Sequence, residues 1–365
     1  MVPQLDLTGA VRRGDFPGNL VGMADVLPGL ARCPVIVAPM AGGPSTAGLV
    51  IAASAAGALG FLAAGYKTAT ALRAEMDAVR AAAGAPFGVN VFVPGAPAAD
   101  RAAVARYLAE LEPDAAALGV RPGVPDWADD DWDGKLTALI ADPPAVVSFT
   151  FGCPEPGVIA ALRAAGSQVW VTVTAPEEAA LAAARGADGL CVQGPEAGAH
   201  RGTFAASAAP PAVPLHRLLR DVAAVTGLPL IATGGIMSPP DVRAALAGGA
   251  VAVQCGTAFL RCPESGASAL HKAALADPAF TATAVTRAFT GRPARGLVNR
   301  FMLDHPDAPG AYPEVHFATR PLRAAAAAAG DTGRMNLWAG EGFRAATTRP
   351  AAEIVELLAG GPGAA

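Results

Sequence analysis

Short, almost wholly apolar runs recur along the chain at 35–38, 59–63, 88–93, 145–151, 168–173, 189–192, 228–233 and 250–254. None alternates cleanly between apolar and polar positions, which is the pattern of strands covered on both faces. Ala-rich stretches with helical spacing follow most of them, at 45–56, 69–83, 99–111, 156–165, 176–185, 215–226 and 239–247. Several open on capping or Pro-led signals, as in Thr174-Ala-Pro-Glu-Glu178 and Ser238-Pro-Pro-Asp241. Two stop at glycine in nearly the same words, Arg185-Gly-Ala-Asp188 and Ala247-Gly-Gly-Ala250.

Strand and helix alternating in this way predict a closed (β/α)8 barrel, because each right-handed crossover adds one parallel strand and eight close the sheet. An open doubly wound sheet is the alternative. It is disfavoured because no Gly-x-Gly-x-x-Gly follows the first strand, where the chain reads Pro39-Met-Ala-Gly-Gly-Pro44. The expected architecture is one domain over residues 1–365: a barrel core over about 30–278, a helical insert after the third strand, and an accessory region over about 279–365. The acidic, Trp-bearing stretch at 126–133 belongs to that insert, and both additions are expected near the barrel mouth.

Composition narrows the partners. Only 16% of the 365 residues are charged and the formal net charge is −4, without long like-charge runs, so neither a disordered chain nor a nucleic-acid footprint is indicated. The five cysteines are scattered and form no Cys-x-x-Cys, which points to reduced thiols in a cytoplasmic protein that packs them, with Cys153 alone placed like a reactive thiol. The N-terminus, with Asp6, Arg12, Arg13 and Asp15, lacks the apolar centre of a secretory leader. Residues 33–66 carry no charge, yet three prolines and six glycines interrupt them, so strand, glycine loop, helix and strand in water is the reading, and no membrane span is expected.

On a barrel the chemistry sits just beyond the carboxyl ends of the strands. After the seventh and eighth runs stand Thr233-Gly-Gly-Ile236 and Gln254-Cys-Gly-Thr257, where such folds hold a phosphate on main-chain N–H groups. The sixth run ends in an irregular polar loop, 193–202, that flanks His200 with glycines. A neutral imidazole there can remove a proton from an activated carbon or donate a hydrogen bond, so His200 is the candidate general base. Arg201 either meets an anion or caps this loop. His216 and His271 fall in helical stretches and read as packing or solvent-facing, while His305 and His316 could border a site. No His-Glu-x-x-His and no Gly-x-Ser-x-Gly occurs, so neither a metal nor a serine nucleophile is expected.

Four blocks, Ala38-Pro-Met-Ala-Gly-Gly43, Leu59-Gly-Phe-Leu-Ala-Ala-Gly-Tyr-Lys67, Gly88-Val-Asn-Val-Phe92 and Glu196-Ala-Gly-Ala-His-Arg-Gly202, resemble the nitronate monooxygenases, formerly called 2-nitropropane dioxygenases. The resemblance continues through Ile231-Ala-Thr-Gly-Gly-Ile236, Gln254-Cys-Gly-Thr257, Thr290-Gly-Arg292 and Leu337-Trp-Ala-Gly340, and covers about 30–345. It implies a TIM barrel with noncovalent FMN that oxidises alkyl nitronates, and in some cases nitroalkanes, with O2 and without a nicotinamide. Carried over residue by residue, Pro39 and Met40 would line the isoalloxazine and Asn90 and Gln193 would hydrogen-bond it. Gly198, Gly234, Gly235, Gln254, Cys255, Gly256 and Thr257 would hold the ribityl chain and phosphate, and His200 would be the catalytic histidine. Tyr66, Lys67, His305 and Tyr312 are the candidates to border the substrate.

Three positions depart from the family pattern: Ala199 and Cys255 stand where glycine and methionine are usual, and Glu341 stands where glutamine is. They bear on the substrate more than on the flavin. Two other readings fit parts of the pattern, an FMN-dependent, NAD(P)H-using enoyl-thioester reductase on the same scaffold and a flavin-binding module without turnover. A low-charge, Ala-rich surface is compatible with a monomer or a homodimer.

Overall fold

The computed structural model describes residues 29–206 and 210–360. The charged N-terminal residues considered above lie outside that range. The strands, numbered along the chain, are β1 (Val35–Val37), β2 (Leu59–Ala63), β3 (Phe87–Phe92), β4 (Val146–Thr150), β5 (Gln168–Val173), β6 (Gly189–Gln193), β7 (Ala199–His200), β8 (Leu230–Thr233), β9 (Ala252–Cys255), β10 (Thr283–Thr286) and β11 (Ala294–Leu297). Eight of them form a closed barrel in the order β1-β2-β3-β4-β5-β6-β8-β9, every pair parallel. Closure is made where Val35, Ile36 and Val37 pair with Val253, Gln254 and Cys255. The fold expected from the apolar runs is the fold observed.

The barrel is plugged at its base by Ile36, Phe61, Val146, Trp170, Cys191 and Ile231, which form one buried cluster. Phe61 and Trp170 lie with ring centroids 5.8 Å apart. Glycine makes this possible, since a Cβ at Gly88 would fall 2.2 Å from the Phe61 ring. The charge-free stretch from residue 33 resolves into β1, the helix Ala47–Ala55 and β2, as the interrupting prolines and glycines predicted. Thr46 caps that helix, accepting the Leu49 N–H at 3.0 Å. No helix among the described residues is long and apolar enough to cross a membrane.

The helices are distributed differently from the simple alternation. The helix predicted at 99–111 runs Arg101–Ala117 and leaves the barrel. Its Val104, Tyr107 and Leu111 pack with Phe289, Phe301, Val315 and Leu322 in a second cluster built largely from the C-terminal region. The barrel position after β3 is filled instead by Trp132–Ala141, which packs against the neighbouring helices Ala69–Ala83 and Pro156–Ala165. The last place in the ring is taken by Ala351–Leu358, far outside the expected core range, whose Ala351, Ile354, Val355 and Leu358 join the main barrel core. It packs on the helices Ala47–Ala55 and Pro239–Ala247, so the C-terminal segment closes the ring as well as covering the mouth.

Beyond the mouth lies a three-stranded antiparallel sheet in the order β10-β11-β7. In it Ala199 pairs with Arg295 and His200 with Ala294. The histidine loop is therefore not free: it is tied to a C-terminal hairpin almost a hundred residues further along the chain.

Candidate active site

A cavity of about 680 Å³ opens at the carboxyl end of the barrel, within the size range of small-molecule sites. Its floor is a polar layer above the aromatic plug, made by Asn90, Thr150, Thr172, Gln193 and Gln254. Asn90 donates from Nδ2 to Ser148 Oγ at 2.9 Å and Thr150 Oγ1 at 3.0 Å, and its Oδ1 has no protein partner among the described residues. Gln254 Oε1 accepts from the Cys191 thiol at 3.3 Å, which leaves Nε2 available. Gln193 is different. Its Nε2 donates to His200 O at 3.0 Å and its Oε1 accepts from Gly202 N–H at 2.8 Å, so both ends hold the histidine loop.

On one side the cavity is bounded by the turns after β8 and β9, with Gly234, Gly235, Ile236, Cys255, Gly256 and Thr257. Gly234 and Gly235 have φ of +122° and +71°, left-handed conformations that favour glycine. Among the described residues, no protein acceptor meets the N–H of Gly235, Gly256 or Thr257. Thr257 starts a short 3-10 turn, so its N–H is one of the unpaired donors of a helical N-terminus. Pro39 and Met40 from the loop after β1 also line the cavity, Met40 close beside Gly256, and Gly198 lines it at the foot of the histidine strand. A Cβ on Gly198 would lie 2.5 Å from Gly340 N, so glycine there lets two loops touch.

The opposite wall carries His200. Its Nε2 lies 2.9 Å from Thr290 Oγ1. The rings of Phe151, Trp338 and Tyr312 surround it at centroid distances of 5.4, 5.8 and 5.9 Å. Burial, reinforced by the cations of Arg292 and Arg323, pushes the imidazole down to about 3, so it is neutral across the physiological range. Ala199, the residue before it, sits at φ +61°, a left-handed conformation that costs a non-glycine residue of order 1–2 kcal/mol. The pairing of β7 with β11 holds it there.

Two arginines give this wall its charge. Arg292 donates to Thr203 O at 2.6 Å and lies 4.0 Å above the Phe151 ring. Arg323 donates to His316 O at 2.9 Å and Thr319 Oγ1 at 3.1 Å. Burial lowers both to about 10, which leaves them protonated. Among the described residues neither is paired with a carboxylate. His316, Arg320 and Arg323 stand at i, i+4 and i+7 of the helix Glu314–Ala329, one face turned to the cavity.

The other predicted residues divide. Tyr66 lines the cavity, stacked flat on His316 at 4.3 Å, and its backbone at φ +67° is held by Asp130 Oδ1, which accepts its N–H at 2.9 Å. Asp130 is in turn paired at 2.7 Å with Lys135, which is completely buried. Three substrate-bordering assignments need correction. Lys67 turns away and pairs with Glu75 at 2.6 Å. His305 is buried in the second cluster, its Nε2 2.9 Å from Asp114 Oδ2. Tyr312 stands behind the wall, donating to Tyr66 Oη at 3.5 Å and lining a side cavity of about 40 Å³.

Arg201, 1% exposed, donates to Gly194 O and Gln193 O and therefore caps the loop. Cys153 is buried in the main core with its thiol pushed up to about 11, a packing residue. The residues that sequence reasoning missed, Phe151, Thr172, Thr290, Arg320, Arg323 and Trp338, come from strand ends and from the C-terminal region. The available signals were the spacing of His316, Arg320 and Arg323 and the blocks Thr290-Gly-Arg292 and Leu337-Trp-Ala-Gly340.

A closed parallel barrel with a polar floor, an anion-ready glycine turn and a shielded histidine at its mouth defines the class: a barrel enzyme acting on a small molecule at its strand ends. Comparison with known proteins narrows it. The profile of the family described as nitronate monooxygenase matches residues 26–361, and this chain belongs to that family. A nitronate monooxygenase of Pseudomonas aeruginosa is 42% identical over 336 residues, covering 89% of this chain and 95% of that one. The structure of a nitroalkane oxidase from Streptomyces ansochromogenes is 49% identical, covers 92% of this chain and 96% of that chain, and superposes with a TM-score of 0.88. FabK from Thermotoga maritima is more distant, at 25% identity and a TM-score of 0.69, covering 92% of this chain and 94% of its own.

Proposed function

We propose that this enzyme oxidises alkyl nitronates with O2 to carbonyl compounds and nitrite, using FMN bound noncovalently in the barrel-mouth cavity of a cytoplasmic protein. The observation that carries this reading is the meeting, in one cavity, of an N–H cradle without protein acceptors among the described residues, two floor amide groups and a neutral histidine, with Arg323 on the cavity wall and Arg292 near the imidazole behind it. The residues fit the cofactor on their own chemistry. Gly235, Gly256 and Thr257 offer N–H donors to a phosphate. Asn90 Oδ1 and Gln254 Nε2 offer one acceptor and one donor to a planar ring edge that carries both kinds of group.

FMN supplies the electron-transfer chemistry with O2. The protein has narrower tasks. Arg292 and Arg323 create a positive field that favours an anionic substrate beside His200, in a pocket whose aromatic walls exclude water and so strengthen that field. His200 then stands beside the bound substrate, where its free ring nitrogen can take up a proton from the substrate carbon. An imidazole pushed down to about 3 is a weak base, so nitronates, already deprotonated at carbon, are the better substrates and neutral nitroalkanes the poorer.

One experiment separates the readings. The absorbance spectrum of the purified protein is recorded, NADH is added under argon, and ethyl nitronate is then added with oxygen monitored. The expected result is a flavin spectrum, no bleaching by NADH, and rapid oxygen uptake with the nitronate. Fast bleaching by NADH would mean an enoyl-thioester reductase, and a flavin without turnover a binding module. In His200→Asn the flavin is retained, turnover of nitroethane falls at least tenfold, and turnover of ethyl nitronate falls less.

A further inference from the structure

Thr290 is 98% shielded from solvent, touches the candidate base directly, and has no part in the assignments above. Its Oγ1 is 2.9 Å from His200 Nε2, accepts the Arg292 N–H at 3.3 Å and can donate to Arg292 O at 3.3 Å. Counting protons decides how this cluster is satisfied. If His200 carries its proton on Nε2, it donates to Thr290, whose hydroxyl donates on to Arg292 O, and all three bonds form. If the proton is on Nδ1, the hydroxyl must turn to Nε2, and Arg292 O loses its donor inside a buried site. The first arrangement has one more hydrogen bond. It leaves a lone pair on Nδ1, the ring nitrogen with no protein partner among the described residues.

We propose that Thr290 is a positioning residue that fixes the tautomer of His200, keeping the proton on Nε2 so that Nδ1 meets the substrate as an acceptor. This inference rests on the functional reading above. With a neutral nitroalkane, the C–H bond breaks, its proton passes to Nδ1, and the electron pair stays on the substrate as the nitronate. The imidazolium keeps its Nε2–H on Thr290 throughout. A nitronate needs no such step, so the hydroxyl matters less for it. Loss of the correct tautomer is costly in other histidine-dependent enzymes.

The test compares Thr290→Val, which keeps the shape and removes the hydroxyl, with Thr290→Ser, which restores it. The ratio of kcat/KM for nitroethane to that for ethyl nitronate is expected to drop at least tenfold in Thr290→Val and to recover in Thr290→Ser. Alongside it, 15N spectra of labelled histidine, with His200→Asn to assign the signal, report the tautomer. The wild type is expected to show Nε2–H, and Thr290→Val a mixture. A wild-type Nδ1–H signal overturns the proposal whatever the variants do. So does an equal loss on both substrates with the tautomer unchanged, which is what a merely structural residue would give. Because the spectra do not depend on turnover, absence of oxygen uptake in the wild type would count against the functional reading and leave the tautomer result standing. Should Thr290→Val fail to fold, Thr290→Ala makes the same comparison.

Discussion

The phosphate cradle makes a sharp quantitative prediction at Gly256. Its φ is −107°, a conformation open to any residue, and an added Cβ would sit 3.5 Å from Ala38 Cβ and 3.5 Å from Met40 Sδ, at ordinary contact. A Cβ there meets no backbone atom and nothing closer than 3.5 Å, unlike one at Gly198. The branches of a valine would extend from a point beside Ala38 and Met40 on the cavity wall, where the Gly256 and Thr257 N–H groups have no acceptor among the described residues, and are expected to obstruct an anion there. Each hydrogen bond to a charged group contributes about 1.5–3 kcal/mol, so losing two costs roughly 3–6 kcal/mol, or about 10²–10⁴ in FMN affinity. Gly256→Val should therefore purify folded and largely colourless, with weak quenching of FMN fluorescence on titration. Riboflavin, which lacks the phosphate, is the control, and its affinity should barely change. Full FMN occupancy in the variant, or an equal loss of riboflavin binding, would refute the placement of the phosphate between these two turns.

Two further outcomes follow from buried charge. His200 and His316 are both held neutral, at about 3 and about 2, first by burial and then by neighbouring cations. Their folded values lie below the unfolded one near 6.5, so the unfolded chain takes up protons first and stability is lost as pH falls from about 6.5. By pH 5 each histidine costs about 2 kcal/mol, and urea unfolding at pH 7.5 and 5.0 should show that share of the difference vanish in His200→Asn and, separately, in His316→Gln. The Lys135–Asp130 pair behaves in the opposite sense. Burial already raises Asp130, so Lys135→Met strands a carboxylate at a cost of about 3–5 kcal/mol that grows as pH rises and shrinks once Asp130 is protonated. The double variant Asp130→Asn with Lys135→Met should recover most of it in a thermal melt, and a single variant as stable at pH 8 as the wild type would remove the pair from the account.

The barrel was legible because its strands are buried on both faces, which writes them as unbroken apolar runs such as Val146–Thr150 and Gln168–Val173. Helix assignment failed where adjacency in sequence is not adjacency in space. Arg101–Ala117 directly follows β3 but packs on Glu314–Ala329, and Ala351–Leu358 follows no strand yet fills the ring. The same rule sorts the site. Asn90, inside β3, came from the family resemblance, whereas the turns after β8 and β9 and the loop that follows Gln193 could be named from their position at strand ends. Thr290, Arg323 and Trp338 could not, because only the second sheet and the C-terminal helix carry them to the mouth. Lys67 is next to Tyr66 in sequence, yet it pairs with Glu75 while Tyr66 lines the cavity.

The charges around His200 also explain how one imidazole could serve both chemical forms of a substrate. Arg292 and Arg323 lower its proton affinity and, by the same field, raise the affinity of the cavity for an anion. The two effects are linked: an anion seated beside these cations screens them and so raises the proton affinity of the imidazole, and a protonated imidazole must in turn bind the anion more tightly by the same factor. Without ligand the ring stays neutral, so the cavity does not spend its positive field on its own histidine. Once a neutral nitroalkane gives its carbon proton to Nδ1, the product is an ion pair of imidazolium and nitronate inside that field. The transfer is uphill against a base near 3 but is offset by the attraction between the ions it creates, which is strongest where aromatic walls keep water out. A nitronate arriving from solution enters the same field without the uphill step, which is the physical reason to expect it as the preferred substrate.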